Sequence, residues 1–65
     1  MSENLNSSTI TVDQRRAIFR AILEAQDAGV GVAQSRSDVA ARFDVTIDQV
    51  KEIEGEGMEQ EWPPL

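Results

Sequence analysis

The chain has 65 residues, with 12 acidic and 6 basic side chains and a formal net charge of −6. It contains no Cys, His or Tyr. These counts exclude disulfides, thiolate nucleophiles, and cysteine or histidine metal ligands. So short a chain forms one domain and buries only about 60% of its unfolded surface, which leaves little room for a substrate pocket. We therefore expect no enzyme, no cofactor and no metal site.

The distribution of apolar residues argues against membrane insertion. There is no apolar run near the roughly 18 residues that a membrane-spanning helix needs, and the N-terminus is not basic and then apolar. We expect a cytoplasmic protein without membrane contact.

Composition divides the chain into three parts. Residues 1–10 are mostly small and polar and are predicted to be a flexible N-terminal segment. Residues 11–57 contain three runs with helical spacing of apolar side chains, and they are predicted to form one all-α domain. Residues 58–65 contain Pro63 and Pro64, which favour an extended tail.

The first helix is predicted over Val12–Ala28. Thr11 and Gln14 have the spacing of a capping box, in which each side chain accepts a hydrogen bond from the backbone N–H of the other residue. Gly29 is suited to the left-handed conformation that ends many helices. The apolar residues lie on one helical face: Ile18, Phe19, Ile22 and Leu23.

The second helix is predicted over Arg36–Phe43, after a connector at residues 29–34. Ser35 and Asp38 resemble a capping box, with the shorter Asp in the place of Glu or Gln. Val39 and Phe43 lie on the inner side of this helix, together with the small residue Ala40.

The third helix is predicted to begin at Ile47, after a capping box formed by Thr46 and Gln49. Ile47, Val50 and Ile53 share one face. We expect this helix to end at Gly55 or Gly57, because glycine is unfavourable within a helix.

The run SRSDVAARFDVTIDQVKEI, residues 35–53, resembles a helix-turn-helix of the homeodomain-like or bacterial regulator type. Ala40 is small where the two helices would cross closely, and Val45 would fill the corner between them. Such turns often have a glycine with positive φ at the position of Asp44, and Asp is one of the few substitutes that tolerate this conformation. The resemblance implies a small three-helix bundle with a helix-turn-helix at about residues 36–54.

In DNA-binding members of this superfamily the last helix enters the major groove. The resemblance therefore implies one possible function, a sequence-specific transcriptional regulator that binds DNA as a homodimer through the helix at residues 46–54. The side chains that would contact the duplex are Arg36, Arg42, Thr46, Gln49 and Lys51.

The charge distribution favours a different function. Residues 11–45 have five Arg and five acids, whereas residues 46–65 have one Lys and six acids. The helix that this fold would present to DNA is thus strongly acidic, the reverse of a nucleic-acid-binding surface. We therefore expect a small acidic regulatory module that acts through protein–protein contacts, as an adaptor in transcription or in phage–host interplay. The residues expected to bind the partner are Asp48, Glu52, Glu56, Trp62 and Leu65.

Two features allow a second interpretation. The arginines could form a phosphate-binding patch. Because residues 11–45 have as many acids as arginines, we favour solvated arginines that pair with Asp13, Glu24, Asp38 and Asp44.

Trp62 could be part of a linear motif that docks into a partner. The interpretation we favour is that Trp62 and Leu65 fold back onto a core that otherwise has only two Phe residues, with Met58 as a core side chain.

Overall fold

The computed structural model describes residues 10–64, and within this range the chain forms three α-helices and no strand. They are α1 (Val12–Asp27), α2 (Val32–Phe43) and α3 (Ile47–Gln60). Each helix packs against both others. The predicted all-α, three-helix class is confirmed. The predicted flexible segment, apart from Ile10, and the partner-binding candidate Leu65 lie outside the described residues.

Two of the three helix starts are as predicted. At α1, the Gln14 N–H donates to Thr11 Oγ1 and the Thr11 N–H donates to Gln14 Oε1, both at 3.1 Å. At α3, the corresponding bonds between Thr46 and Gln49 are 2.9 and 3.0 Å long. Both capping boxes therefore satisfy backbone donors that the first helical turn leaves without a partner.

The predicted start of the second helix is wrong. α2 begins at Val32, after the N-cap residue Gly31, and Gly31 has no side chain that could cap it. Ser35 is fully buried within the helix, where its hydroxyl donates to the Val32 carbonyl at 2.8 Å. Asp38 instead accepts a hydrogen bond from Gln34 at 2.8 Å. Ser35 is thus a small side chain at a helix contact, and it satisfies its own hydroxyl locally.

The core lies where the three helices meet. Ile18, Phe19 and Ile22 of α1 are each 1% exposed. Leu23, Phe43 and Val45 are partly buried against this cluster. Ile47, predicted on the inner face of α3, is instead 47% exposed and is the first residue of that helix. The remaining buried apolar residues are Ala21, Val39, Ala40, Val50, Ile53 and Trp62.

All three helices end in the same hydrogen-bonding pattern. An apolar residue beyond each helix donates its N–H to a carbonyl five residues earlier, from Val30 to Ala25, from Val45 to Ala40 and from Trp62 to Gly57, each at 3.0 Å. This six-to-one bond is the mark of a Schellman motif. The residue before each donor has positive φ: Gly29 at 96°, Asp44 at 58° and Glu61 at 56°. The predicted conformations of Gly29 and Asp44 are confirmed.

The predicted end of the third helix at Gly55 or Gly57 is wrong. α3 continues to Gln60, so residues 58–60 are helical and do not belong to an extended tail. Gly57 is required within the helix by packing, because a Cβ atom built on it would lie 2.3 Å from the Phe19 ring. Beyond the Glu61 cap, Trp62 returns to the core, and Pro63 and Pro64 lie in a turn.

None of the helices in residues 10–64 combines the length and the apolar character that crossing a bilayer requires.

Candidate interaction surface

The solvent-facing side of α3 has a row of acidic side chains. Asp48, Glu52 and Glu59 are all exposed, and Gly55 lies between Glu52 and Glu59. The spacings of four, three and four residues place these positions on one helical face. We call Asp48, Glu52 and Glu59 the outer acidic face. The two acids predicted here, Asp48 and Glu52, are therefore accessible to a partner.

The other two acids within α3, Glu54 and Glu56, pair with the neighbouring helices. Glu54 Oε1 accepts from Arg36 of α2 at 3.0 Å from Nε and lies 2.8 Å from Nη2. Glu56 Oε1 lies 3.0 Å from Nε of Arg15 in α1. The Arg15 side chain also donates to the carbonyl of Ile10. Ion pairs therefore join α3 to both other helices and neutralise two of its acids.

These ion pairs bear on two predictions. Glu56, predicted to bind the partner, is only partly exposed and is engaged with Arg15. Arg15 and Arg36 pair with acids of α3 and not with the nearby acids predicted for them. Glu59 was not among the predicted partner-binding residues, because α3 was expected to end before it. Its spacing of seven residues from Glu52 would have identified it on a helix that continues to Gln60.

Trp62 is a core residue and is not available as an accessible docking side chain. It is 6% exposed, and its ring meets that of Phe19 edge to face, with centroids 6.0 Å apart and an interplanar angle of 80°. The Arg16 guanidinium carbon lies 5.8 Å from the Trp62 ring centroid, within the range of a cation–π contact. The interpretation in which Trp62 folds back onto the core is confirmed.

The side chains predicted to contact DNA are mostly engaged within the molecule. Thr46 and Gln49 form the α3 capping box, and Arg36 is held by Glu54. Arg42 is exposed, with its guanidinium carbon 5.4 Å from the Phe43 ring centroid. Lys51 is exposed on α3 between Asp48 and Glu52 along the chain. Thr46, Gln49 and Arg36 thus have defined polar partners within the molecule, whereas Arg42 and Lys51 are exposed and Arg42 contacts the Phe43 ring.

An open groove lies beside the outer acidic face. It has a volume of about 420 Å³ and is formed by all three helices. Val32 and Met58, 51% and 59% exposed, belong to its wall, so the prediction of Met58 as a core side chain is wrong. We call this depression the three-helix groove. It is lined by Phe19, Ile22, Leu23, Gln26, Val32, Arg36, Lys51, Glu54, Gly55 and Met58.

A second depression adjoins the three-helix groove, because Leu23 and Gln26 line both. The other residues of the second depression are Glu24, Asp27 and Pro64.

Among residues 10–64, no three acidic side chains lie close enough together to hold a metal ion.

No family model matches the chain, and no curated protein and no solved structure was found to be similar to it.

Proposed function

We propose that this protein is a small acidic regulatory module that binds a basic surface of a protein partner through the outer acidic face of α3. The resemblance of residues 35–53 to helix-turn-helix regulators supports a role as an adaptor in transcription or in phage–host interplay.

The observation that supports the proposal most directly is that the acids of α3 lie in two different environments. Glu54 and Glu56 are neutralised by Arg36 and Arg15, whereas Asp48, Glu52 and Glu59 face solvent on a single side. A row of like charges attracts a surface of opposite charge, raises the association rate and selects against acidic partners. The outer acidic face therefore fits a partner rich in Lys and Arg.

The same distribution disfavours the alternative, DNA binding as a homodimer. Affinity for DNA comes largely from Lys and Arg side chains that neutralise phosphates. Arg36 is already paired with Glu54, and Lys51 lies within an acidic face. A duplex that approached the exposed side of α3 would meet three carboxylates, those of the outer acidic face, and one lysine, Lys51.

The test compares two variants with the same change in charge. Asp48→Asn/Glu52→Gln/Glu59→Gln neutralises the outer acidic face, and Asp13→Asn/Asp38→Asn/Asp44→Asn neutralises three exposed acids elsewhere. The control is matched in position, because Asp13 and Asp48 both lie in the first turn of a helix. Asn at residue 44 tolerates the left-handed conformation that Asp44 has.

Affinity purification from native cell extract, quantified by mass spectrometry, should recover basic proteins with the wild type and with the control variant. Neutralising the outer face should lower their recovery about tenfold, and the loss should be larger at low salt, because exposed charges are screened. Equal recovery with both variants would refute the proposal. In parallel, salt-dependent binding to a random-sequence duplex that survives in the α3 variant would replace the proposal with the DNA-binding alternative.

A further inference from the structure

We propose that the three-helix groove binds the apolar face of a basic amphipathic helix in the partner protein. This inference rests on the proposed function, and it adds that the basic partner is recognised as an amphipathic helix.

The lining of the groove suits apolar side chains. Its apolar lining comes from Phe19, Ile22 and Leu23 of α1, Val32 of α2 and Met58 of α3. Val32 and Met58 are more than half exposed, although they are large apolar residues. An engineered cavity of about 150 Å³ holds one benzene ring, so an open groove of the observed volume has room for about two or three apolar side chains. Such anchors, spaced three and four residues apart, are how an amphipathic helix fills a groove.

The charges inside the groove are few. Arg36 and Glu54 both line it, but they form an ion pair with each other. Lys51 is then the one lining residue whose charge is not balanced by another lining residue. Because Lys51 is exposed, its ammonium group can stay in water while an apolar face binds against the rest of the groove.

The borders of the groove are acidic, and they set the charge of the occupant. On α3, Asp48 and Glu59 are exposed on the same helical face as Gly55, which lines the groove. On α1, Glu24 and Asp27 line the adjoining depression, and Arg20 lies one turn before Glu24. These positions thus include four acids (Asp48, Glu59, Glu24 and Asp27) and, with Lys51, only two bases. An occupant with Lys and Arg on both sides of an apolar stripe would match this pattern.

Gly55 connects the groove to the outer acidic face. It lines the groove, and a Cβ atom placed on it would meet no heavy atom within 4 Å. A helix lying in the groove can therefore pass over Gly55 and bring its basic side chains to Asp48 and Glu59. The groove and the outer acidic face become parts of one surface.

A second copy of this chain is a poorer occupant. Each copy has a net charge of −6, and the acids that border the groove would face the acids of the other copy. Like-charge contacts of this kind disfavour association. Charge complementarity thus selects a basic helix of another protein.

The probe is a fluorescein-labelled peptide of about five helical turns with Leu on one face and Lys on the other. A second peptide has the same composition in an order that spreads Leu around the helix. Binding is measured by fluorescence anisotropy with the full chain. We expect the amphipathic peptide to bind about tenfold more tightly than the scrambled one, a difference of one decade in Kd.

Two variants locate the binding site. Gly55→Leu fills the groove from a position with open space, and Leu is a better helix former than Gly, so the fold is retained. Ala41→Leu adds the same side chain at an exposed position of α2 outside the groove. We expect Gly55→Leu to weaken binding of the amphipathic peptide about tenfold and Ala41→Leu to leave it unchanged. Circular dichroism melts of both variants verify that they are folded.

The remaining outcomes overturn the inference in distinguishable ways. If both peptides bind equally and Gly55→Leu has no effect, the groove is not used. The proposed function still stands in that case, provided that Asp48→Asn/Glu52→Gln/Glu59→Gln weakens both peptides. If neither peptide binds, the inference fails, and the affinity purification decides the proposed function separately. If sedimentation velocity shows a wild-type dimer that Gly55→Leu dissociates, the occupant is a second copy.

Discussion

The ends of α2 and α3 have the same backbone geometry but differ in what they contribute to the fold. Asp44 and Glu61 both have left-handed dihedral angles, and the next residue in each case donates to a carbonyl five residues earlier. After α2 this residue is Val45, which is partly buried; after α3 it is Trp62, which is 6% exposed. The end of α2 thus turns the chain into the next helix, whereas the end of α3 places a large side chain in the core.

The comparison extends to the carbonyl that accepts each bond. It belongs to Ala40 at the end of α2 and to Gly57 at the end of α3. Ala40 is buried with its methyl group in place, but at Gly57 the Phe19 ring occupies the space that a Cβ would need. The same local motif therefore has different side-chain requirements at its two positions, and at Gly57 the neighbouring helix α1 sets the requirement.

The largest expected effect is the loss of the Trp62 ring. Trp62→Ala should lower the free energy of unfolding by about 3–5 kcal/mol, the usual cost of deleting a buried aromatic side chain. Val45→Ala should cost about 1 kcal/mol, because less apolar surface is lost. Urea denaturation followed by circular dichroism measures both changes. A chain of this length is stabilised by only about 3–10 kcal/mol, so Trp62→Phe serves as the milder variant if Trp62→Ala does not fold. Equal losses for Trp62→Ala and Val45→Ala would contradict the distinction between the two ends.

The next largest effect is expected at the two glycines of α3, where substitution by Ala should change the stability in opposite directions. Gly57→Ala should destabilise the protein by about 1–2 kcal/mol, because the clash with Phe19 outweighs the gain in helix propensity. Gly55→Ala is the matched control in the same helix, and it should stabilise by about 0.5–1 kcal/mol because its Cβ meets open space. Thermal melts of the two variants should shift in opposite directions. A stabilising Gly57→Ala would show that α1 and α3 are not in close contact at Phe19.

The smallest effect concerns the two left-handed residues. Glu61→Gly should stabilise the protein by about 0.5–1 kcal/mol, since glycine removes a conformational cost of roughly 1–2 kcal/mol but adds freedom to the unfolded chain. Asp44→Gly should gain only a few tenths of a kcal/mol, because Asp tolerates this conformation better than Glu. Chemical denaturation of both variants in one experiment gives the difference. A larger gain for Asp44→Gly would contradict the ranking.

Most of the predictions that the structure confirms depend on residues close together in the chain. The capping boxes of α1 and α3 and the positive φ of Gly29 and Asp44 follow from hydrogen bonds within a few residues. Ser35 also has the composition of a cap, but α2 begins three residues before it. Ser35 is instead fully buried, 3.5 Å from the side-chain nitrogen of Gln26 in α1, and a cap would contribute only about 1 kcal/mol.

The candidate site was predictable only in part. Asp48 and Glu52 were identified from charge and helical spacing, and both are exposed. Glu56 was assigned to the same surface, but it pairs with Arg15. Charge counts show how many acids a segment has, and they do not show which of them face another helix. The groove at Val32 and Met58 was not predicted, since it exists only between packed helices.

The sequence by itself determined the all-α class, the three helices, two of their starts, the left-handed turn at Asp44 and the concentration of acid in residues 46–65. These features depend on local hydrogen bonding and on composition. Tertiary structure alone decided that Gly57 lies inside a helix, that Trp62 packs against Phe19 and that the acids of α3 divide into paired and solvent-facing sets. The physical reason is distance along the chain. Phe19 meets Gly57 and Trp62, and Arg15 meets Glu56, across most of the fold, and no local pattern encodes those contacts.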